Sequence, residues 1–179
     1  MATESRSALS GGDAPEYMHA ILKFLGERDP FDVIEETEEK LSVLTQGLSD
    51  EHLRTPEKPG KWSILEVMWH LADVEIVLGF RYRMVAAQPG SAVSAIDQDA
   101  WVKQLDYNGR GFSDALEDFT RVRSVNLRFL KGLPKELFEQ FAMHEERGKE
   151  TLRDMVRLYA AHDCYHLYQI DRIKTAVGV

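Results

Sequence analysis

The sequence predicts an all-α protein: a four-helix bundle with a long crossover between its second and third long helices and a short helix at its N-terminus. Three observations carry this. Apolar residues recur at helical spacing through each long segment. Nothing alternates with period two over more than a few residues. The chain also makes one statement twice: LTQGLSDEHL leads to GKWSILEVMWHLAD, and FLKGLPKELF leads to GKETLRDMVRLYAAHD. Each half reads as a helix, a Gly-Leu stop, a short connector and a Ser- or Thr-capped helix, which suggests two αα hairpins around one core.

The elements follow in order. Residues 1–14 are small, polar and glycine-containing, and are expected to be mobile, with a single domain over 15–179. Tyr17, Ile21, Phe24 and Leu25 mark the short first helix. In DPFD, Asp29 is an N-cap and Pro30 occupies the first helical position, starting a stripe of Val33, Ile34, Leu41, Leu44 and Leu48. After PEKPGK, SILE offers a capping box between Ser63 and Glu66 and starts a helix to about Ala87. Residues 88–112 hold PGS, DQD, NGRG and Trp101, a crossover too long for a tight turn. From Asp114, the residues Leu116, Phe119, Val122, Val125 and Phe129 give the next helix, stopped at GLP. TLRD, with Thr151, starts a last helix to about Thr175.

Composition narrows the function. The chain of 179 residues has a formal net charge of −8, which disfavours nucleic acid or an anionic membrane as partner. No apolar run approaches the roughly 18 residues a membrane span needs. One cysteine excludes an intrachain disulfide and fits a reducing compartment, and no signal-peptide pattern opens the chain, so the expected location is cytoplasmic.

The chemistry concentrates in HDCYH. At about 100° per residue, His162 and His166 project within about 40° of each other, on the face that carries Met155, Leu158, Tyr159, Gln169 and Ile173. Both therefore point inward, while Cys164 falls about 180° away and cannot take either ring as its base. Asp163, Asp171 and Lys174 fall to the sides or back of this face. His70 shares a face with Glu66, Val74, Val77 and Arg81, at or near the core side. Two histidines at i and i+4 with a third from another helix are able to bind one metal ion, though an inward histidine is also a common hydrogen-bonded core residue. His19, His52 and His144 are rivals for the third position. His52 and His144 fall in expected loops, and His70 is the best placed.

PGKWSILEVMWHLADVE, DQDAWVKQLDY and HEERGKETLRDMVRLYAAHDCYHLYQI together resemble the DinB-like superfamily, and within it the YfiT-like group of metal-dependent enzymes. The resemblance runs from about Tyr17 to Ile173. It implies a four-helix bundle and a divalent metal, nickel or zinc, held by His70, His162 and His166. It also implies thiol chemistry, since members include S-transferases using a low-molecular-weight thiol, and dimers are common among them. The N-terminal segment is a candidate for such a homodimer interface.

Three neutral ligands would leave a metal with open positions and its full charge, suited to activating a thiol for attack on an electrophile. Activating water for hydrolysis is the alternative, and a metal-binding or stress-response protein without turnover is a third reading. Around such a centre Glu66 is a candidate base, or only half of the capping box. Asp73 is a candidate acceptor for a histidine N–H, or a solvated flank. Arg81 is a candidate carboxylate binder, or a salt-bridge residue, and Gln169 faces the site or bonds within the core. Trp101 and Tyr107 either cover the opening or anchor the crossover. Asp163 is expected on the helix surface.

Overall fold

The computed structural model describes residues 14–179, with side chains from Met18 onward, so the mobile segment expected at 1–14 falls, apart from Ala14, outside the described residues. Seven helices follow in order: α1 (Ala14–Leu25), α2 (Pro30–Thr45), α3 (Asp50–Arg54), α4 (Ile64–Ala87), α5 (Gln98–Gln104), α6 (Phe112–Lys131) and α7 (Leu152–Val177). The four long ones form the bundle. Their starts obey the expected local rules. Asp29 accepts from the Phe31 and Asp32 amides at the head of α2 with Pro30 in its first turn. Ser63 with Glu66, and Thr151 with Asp154, close full capping boxes at α4 and α7. The α2 stripe was expected to reach residue 48; the helix ends at Thr45, because Gly47 takes a left-handed turn at φ +76°.

Two features depart from the sequence reading. First, the helices of each half do not pair as hairpins. The main contacts are α4 with α6 and α2 with α7, with α4 against α7 and α2 against α6 as the lesser pairs. Each half therefore sets its two long helices diagonally across the bundle, which its long connectors permit. Second, a small sheet lies at one end: β1 (Ala92–Val93) runs parallel to β2 (Phe141–His144), which pairs antiparallel with β3 (Gly148–Thr151). Strands of two to four residues are too short to announce themselves by periodicity. The sheet ties the crossover to the segment that launches α7.

The interior is not uniformly apolar. One cluster gathers Ile21, Leu25, Val33, Ile34, Leu78, Val85, Leu130 and Tyr165, the other Leu41, Trp62, Leu65, Met68, Phe119, Ile170 and Ile173. Between them, at the mid-level of the bundle, every long helix contributes a buried polar side chain: Thr37, His70, Arg123 and His162. Further along α4, Gly79 admits the Asn126 amide, whose oxygen would lie 2.5 Å from any Cβ placed there. Helix α1 lays Ile21 and Leu25 against α7, and Phe24 meets the Tyr165 ring edge-on at 5.4 Å. No helix among the described residues is long and apolar enough to cross a membrane.

Candidate metal centre

The polar layer contains three converging imidazoles. His70 comes from the second turn of α4, and His162 and His166 from successive turns of α7. His162 Nε2 lies 3.1 Å from His70 Nε2 and 3.0 Å from His166 Nε2. Two nitrogens bound at about 2.1 Å to one ion, at angles between square and tetrahedral, stand roughly 3.0–3.4 Å apart, so the spacing matches a shared cation. All three are buried. Burial, with the neighbouring histidines adding to it, drives His70 and His162 well below the usual histidine range. Burial also lowers His166, to about 4, against the opposing effect of the hydrogen bond it donates to Gln169. The rings are thus neutral at pH 7, the state in which a nitrogen lone pair can bind a metal.

The surroundings fix ring orientation. Gln169 Oε1 sits 2.8 Å from His166 Nδ1; with the amide so assigned, the hydrogen is on Nδ1 and the Nε2 lone pair faces the other two rings. Trp62, fully buried, stacks parallel to His166 at 6.3 Å and lies tilted against His70 at 4.9 Å. Its indole N–H reaches Asp99 Oδ1 of α5 at 3.1 Å, so the crossover holds the wall of the site.

The structure brings the three histidines together with Gln169 and engages the other candidates in bonds of their own. Glu66 Oε2 accepts from the Ser63 amide at 2.8 Å, committing the carboxylate to the cap. Asp73 Oδ2 accepts from the Tyr107 hydroxyl at 2.5 Å and so serves the crossover. Tyr107 is buried and packs near Trp69, in an anchoring position, and Trp101 packs at the margin of the same apolar cluster. Arg81 is buried, donating to Tyr159 Oη at 2.9 Å and to the Ser94 carbonyl at 2.5 Å. Of the rival histidines, His19 is exposed on α1, His52 lies on α3, and His144 is buried on β2, so the loops expected for the last two are a short helix and a strand.

Asp163 corrects the sequence reading. It is not a surface charge: it is buried, and its two oxygens take both terminal nitrogens of Arg123 at 2.6 and 3.1 Å. Glu75 joins the same guanidinium at 2.9 Å, and Asn126 donates to Glu75 Oε2 at 3.0 Å. A signal was present, because Arg123 interrupts the apolar stripe of α6, but a lone charge on one helix does not identify its partners on two others. Cys164 lies off the triad, with Arg28 Nη2 2.9 Å from its sulfur, and burial raises its thiol above the usual range.

A bundle whose middle holds three convergent, neutral, buried imidazoles has a donor set that fits a metal ion. The chain belongs to the DinB superfamily, whose family model matches residues 34–170. It is 26% identical over 147 residues to YfiT of Bacillus subtilis, covering 82% of this chain and 83% of that one, a protein whose name carries a provisional metal-dependent hydrolase assignment. A similarly named protein of Oceanobacillus iheyensis is 27% identical over 124 residues, covering 69% and 71% of the two chains. The solved structure of Bacillus subtilis YfiT, described as an unusual four-helix bundle, superposes with a TM-score of 0.76 over 94% of this chain and 91% of that one, at 22% identity.

Proposed function

We propose that this protein is a metal-dependent enzyme in which His70, His162 and His166 hold a divalent cation, nickel or zinc, and a low-molecular-weight thiol is activated for transfer to an electrophile. The observation that carries the reading is the convergence of three neutral imidazoles, with His162 Nε2 3.1 Å from His70 Nε2 and 3.0 Å from His166 Nε2. An ion held there would act as a Lewis acid, lowering the pKa of a thiol or water that joins it. The chain's own residues favour the thiol. Both carboxylates nearest on α4, Glu66 and Asp73, accept hydrogen bonds from the cap and from Tyr107, which weakens each as a base toward water. A thiol starts from a pKa of about 8.5 and needs far less help than water at about 15.7. In the transfer the thiol gives its proton to solvent water, its sulfur forms the bond to the electrophilic carbon, and the leaving group departs with the bonding pair.

Hydrolysis is the second reading, supported by the names of the Bacillus and Oceanobacillus relatives. A small-molecule substrate, rather than nucleic acid, fits the acidic chain, and a single buried cysteine fits the cytoplasm. A homodimer would use a face other than Ile21 and Leu25, which lie buried within the chain. Metal analysis after supplemented expression, with His162→Ala as control, tests the site; absence of stoichiometric metal in the wild type refutes it. A screen of thiols with electrophiles, on loaded and stripped protein, tests the reaction. Turnover of an ester or amide without thiol would move the assignment to hydrolysis.

A further inference from the structure

A cluster of hydrogen-bond donors stands beside the triad with too few acceptors to satisfy it. Arg81 is 4% exposed, yet among the described residues its guanidinium bonds only neutral oxygens, Tyr159 Oη and the Ser94 carbonyl, and meets no carboxylate. Arg147, from the β2–β3 turn, is paired bidentately with Glu150 at 3.0 and 2.7 Å. Tyr159 Oη accepts from the Arg81 guanidinium, so its own proton points to some other acceptor, and none is found among the described residues. His144 is 3% exposed. Its Nδ1 accepts from the Glu146 and Arg147 amides at 3.2 and 3.4 Å, so the hydrogen of the neutral ring is on Nε2, a buried donor without a partner. Burial first, then Arg147 and Arg81, push this ring down to about 4, which keeps it neutral and brings both arginines into its neighbourhood.

The charges leave a remainder. Glu150 answers Arg147, His144 is neutral, and Arg81 is left as one buried positive charge, an arrangement that is costly unless an anion completes it. The group adjoins the triad: the Tyr159 ring is 5.7 Å from His162, one turn along α7. On the crossover side Ser94 is exposed and Tyr159 is partly exposed. We propose that Arg81, Tyr159 and His144, with Arg147 behind them, form a binding site for a single carboxylate of the substrate, whose other end reaches the three histidines. One uncompensated charge and several neutral donors suit a carboxylate monoanion, and a planar guanidinium favours it geometrically. The proposal rests on the function proposed above for its second anchor, but the anion site itself stands on separate residues.

Cobalt-loaded protein titrated with 3-mercaptopropionate and with its methyl ester, followed by the sulfur-to-cobalt absorption band, tests the inference. The acid should bind the wild type about ten- to a hundredfold more tightly than the ester, as expected for a charge-assisted contact. Arg81→Gln should erase that ratio while leaving the affinity for the ester and the cobalt content unchanged. Equal binding of acid and ester by the wild type, or a preserved ratio in the variant, overturns the proposal. Should Arg81→Gln fail to fold by circular dichroism, Tyr159→Phe and His144→Gln carry the test: each should lower the ratio, and an unchanged ratio in both overturns it. Absence of cobalt or of the band refutes the metal–thiol reading instead. The anion site is then read by calorimetric titration of propionate into metal-free protein, where binding that these variants abolish supports it and no binding overturns it.

Discussion

Gln169 holds His166 from one turn further along α7, its Oε1 2.8 Å from Nδ1. They stand three positions apart, so both project from the same face of one helix, and the amide sets which nitrogen of the ring looks into the centre. A metal-binding histidine left without such a partner keeps its ring but loses its preferred tautomer and orientation. Replacing Gln169 by Leu should therefore weaken metal binding about 10- to 100-fold without abolishing it. Competition against a chromophoric chelator measures this. Gln169→Glu, which restores a hydrogen-bond acceptor, should recover most of the affinity.

Arg123 is enclosed by Glu75 and Asp163 in the same layer that carries the triad. Removing the guanidinium leaves two carboxylates facing each other out of water. Arg123→Met should destabilise the protein by about 3–5 kcal/mol, the usual cost of orphaning a buried ion. Urea denaturation reads it as a lower midpoint at unchanged slope. Adding Glu75→Gln and Asp163→Asn to that variant should return part of the loss, because the penalty lies in the unpaired charges and not in the absent arginine.

The crossover is pinned at Tyr107, whose ring is buried and whose hydroxyl donates to Asp73. Tyr107→Phe keeps the packing and removes the bond, leaving a partly buried carboxylate without its donor. The expected loss is about 1–3 kcal/mol in chemical denaturation. Since the adjoining α5 also supplies Asp99 to Trp62 beside the triad, proteolytic cleavage within residues 88–111 should accelerate in this variant.

Much of this was legible in the chain because the signals are local. Asp29–Pro30, Ser63 with Glu66, and Thr151 with Asp154 each specify a helix start within four residues, and His162 with His166 share a face by arithmetic alone. What the sequence did not disclose depends on partners far along the chain. Asp163 lies 40 positions from the arginine that buries it, and β1 joins β2 across the whole of α6. The diagonal placement of α2 and α4 is likewise a property of the packed bundle, invisible to helical periodicity, which reports a face but not the neighbour it meets.

The buried triad also makes stability depend on pH. His70, His162 and His166 are all lowered in the folded protein, while in the unfolded chain each returns to about 6.5. Below that value the unfolded state binds protons that the folded state refuses, so stability is complete above about pH 7 and falls as pH drops toward the folded values. His166 alone, at about 4 in the fold, should cost about 2 kcal/mol by pH 5. Glu75 runs the other way, since burial raises its carboxyl, and His144 runs with the triad, so the slope is best read as a difference between variants. Urea midpoints of metal-free protein between pH 7 and 5 should decline, and the decline should be shallower in His162→Gln/His166→Gln than in the wild type. Loading with zinc should move the fall to lower pH, because the cation and the protons compete for the same lone pairs. Identical pH profiles for wild type and double variant would mean that the three rings do not remain neutral in the folded state.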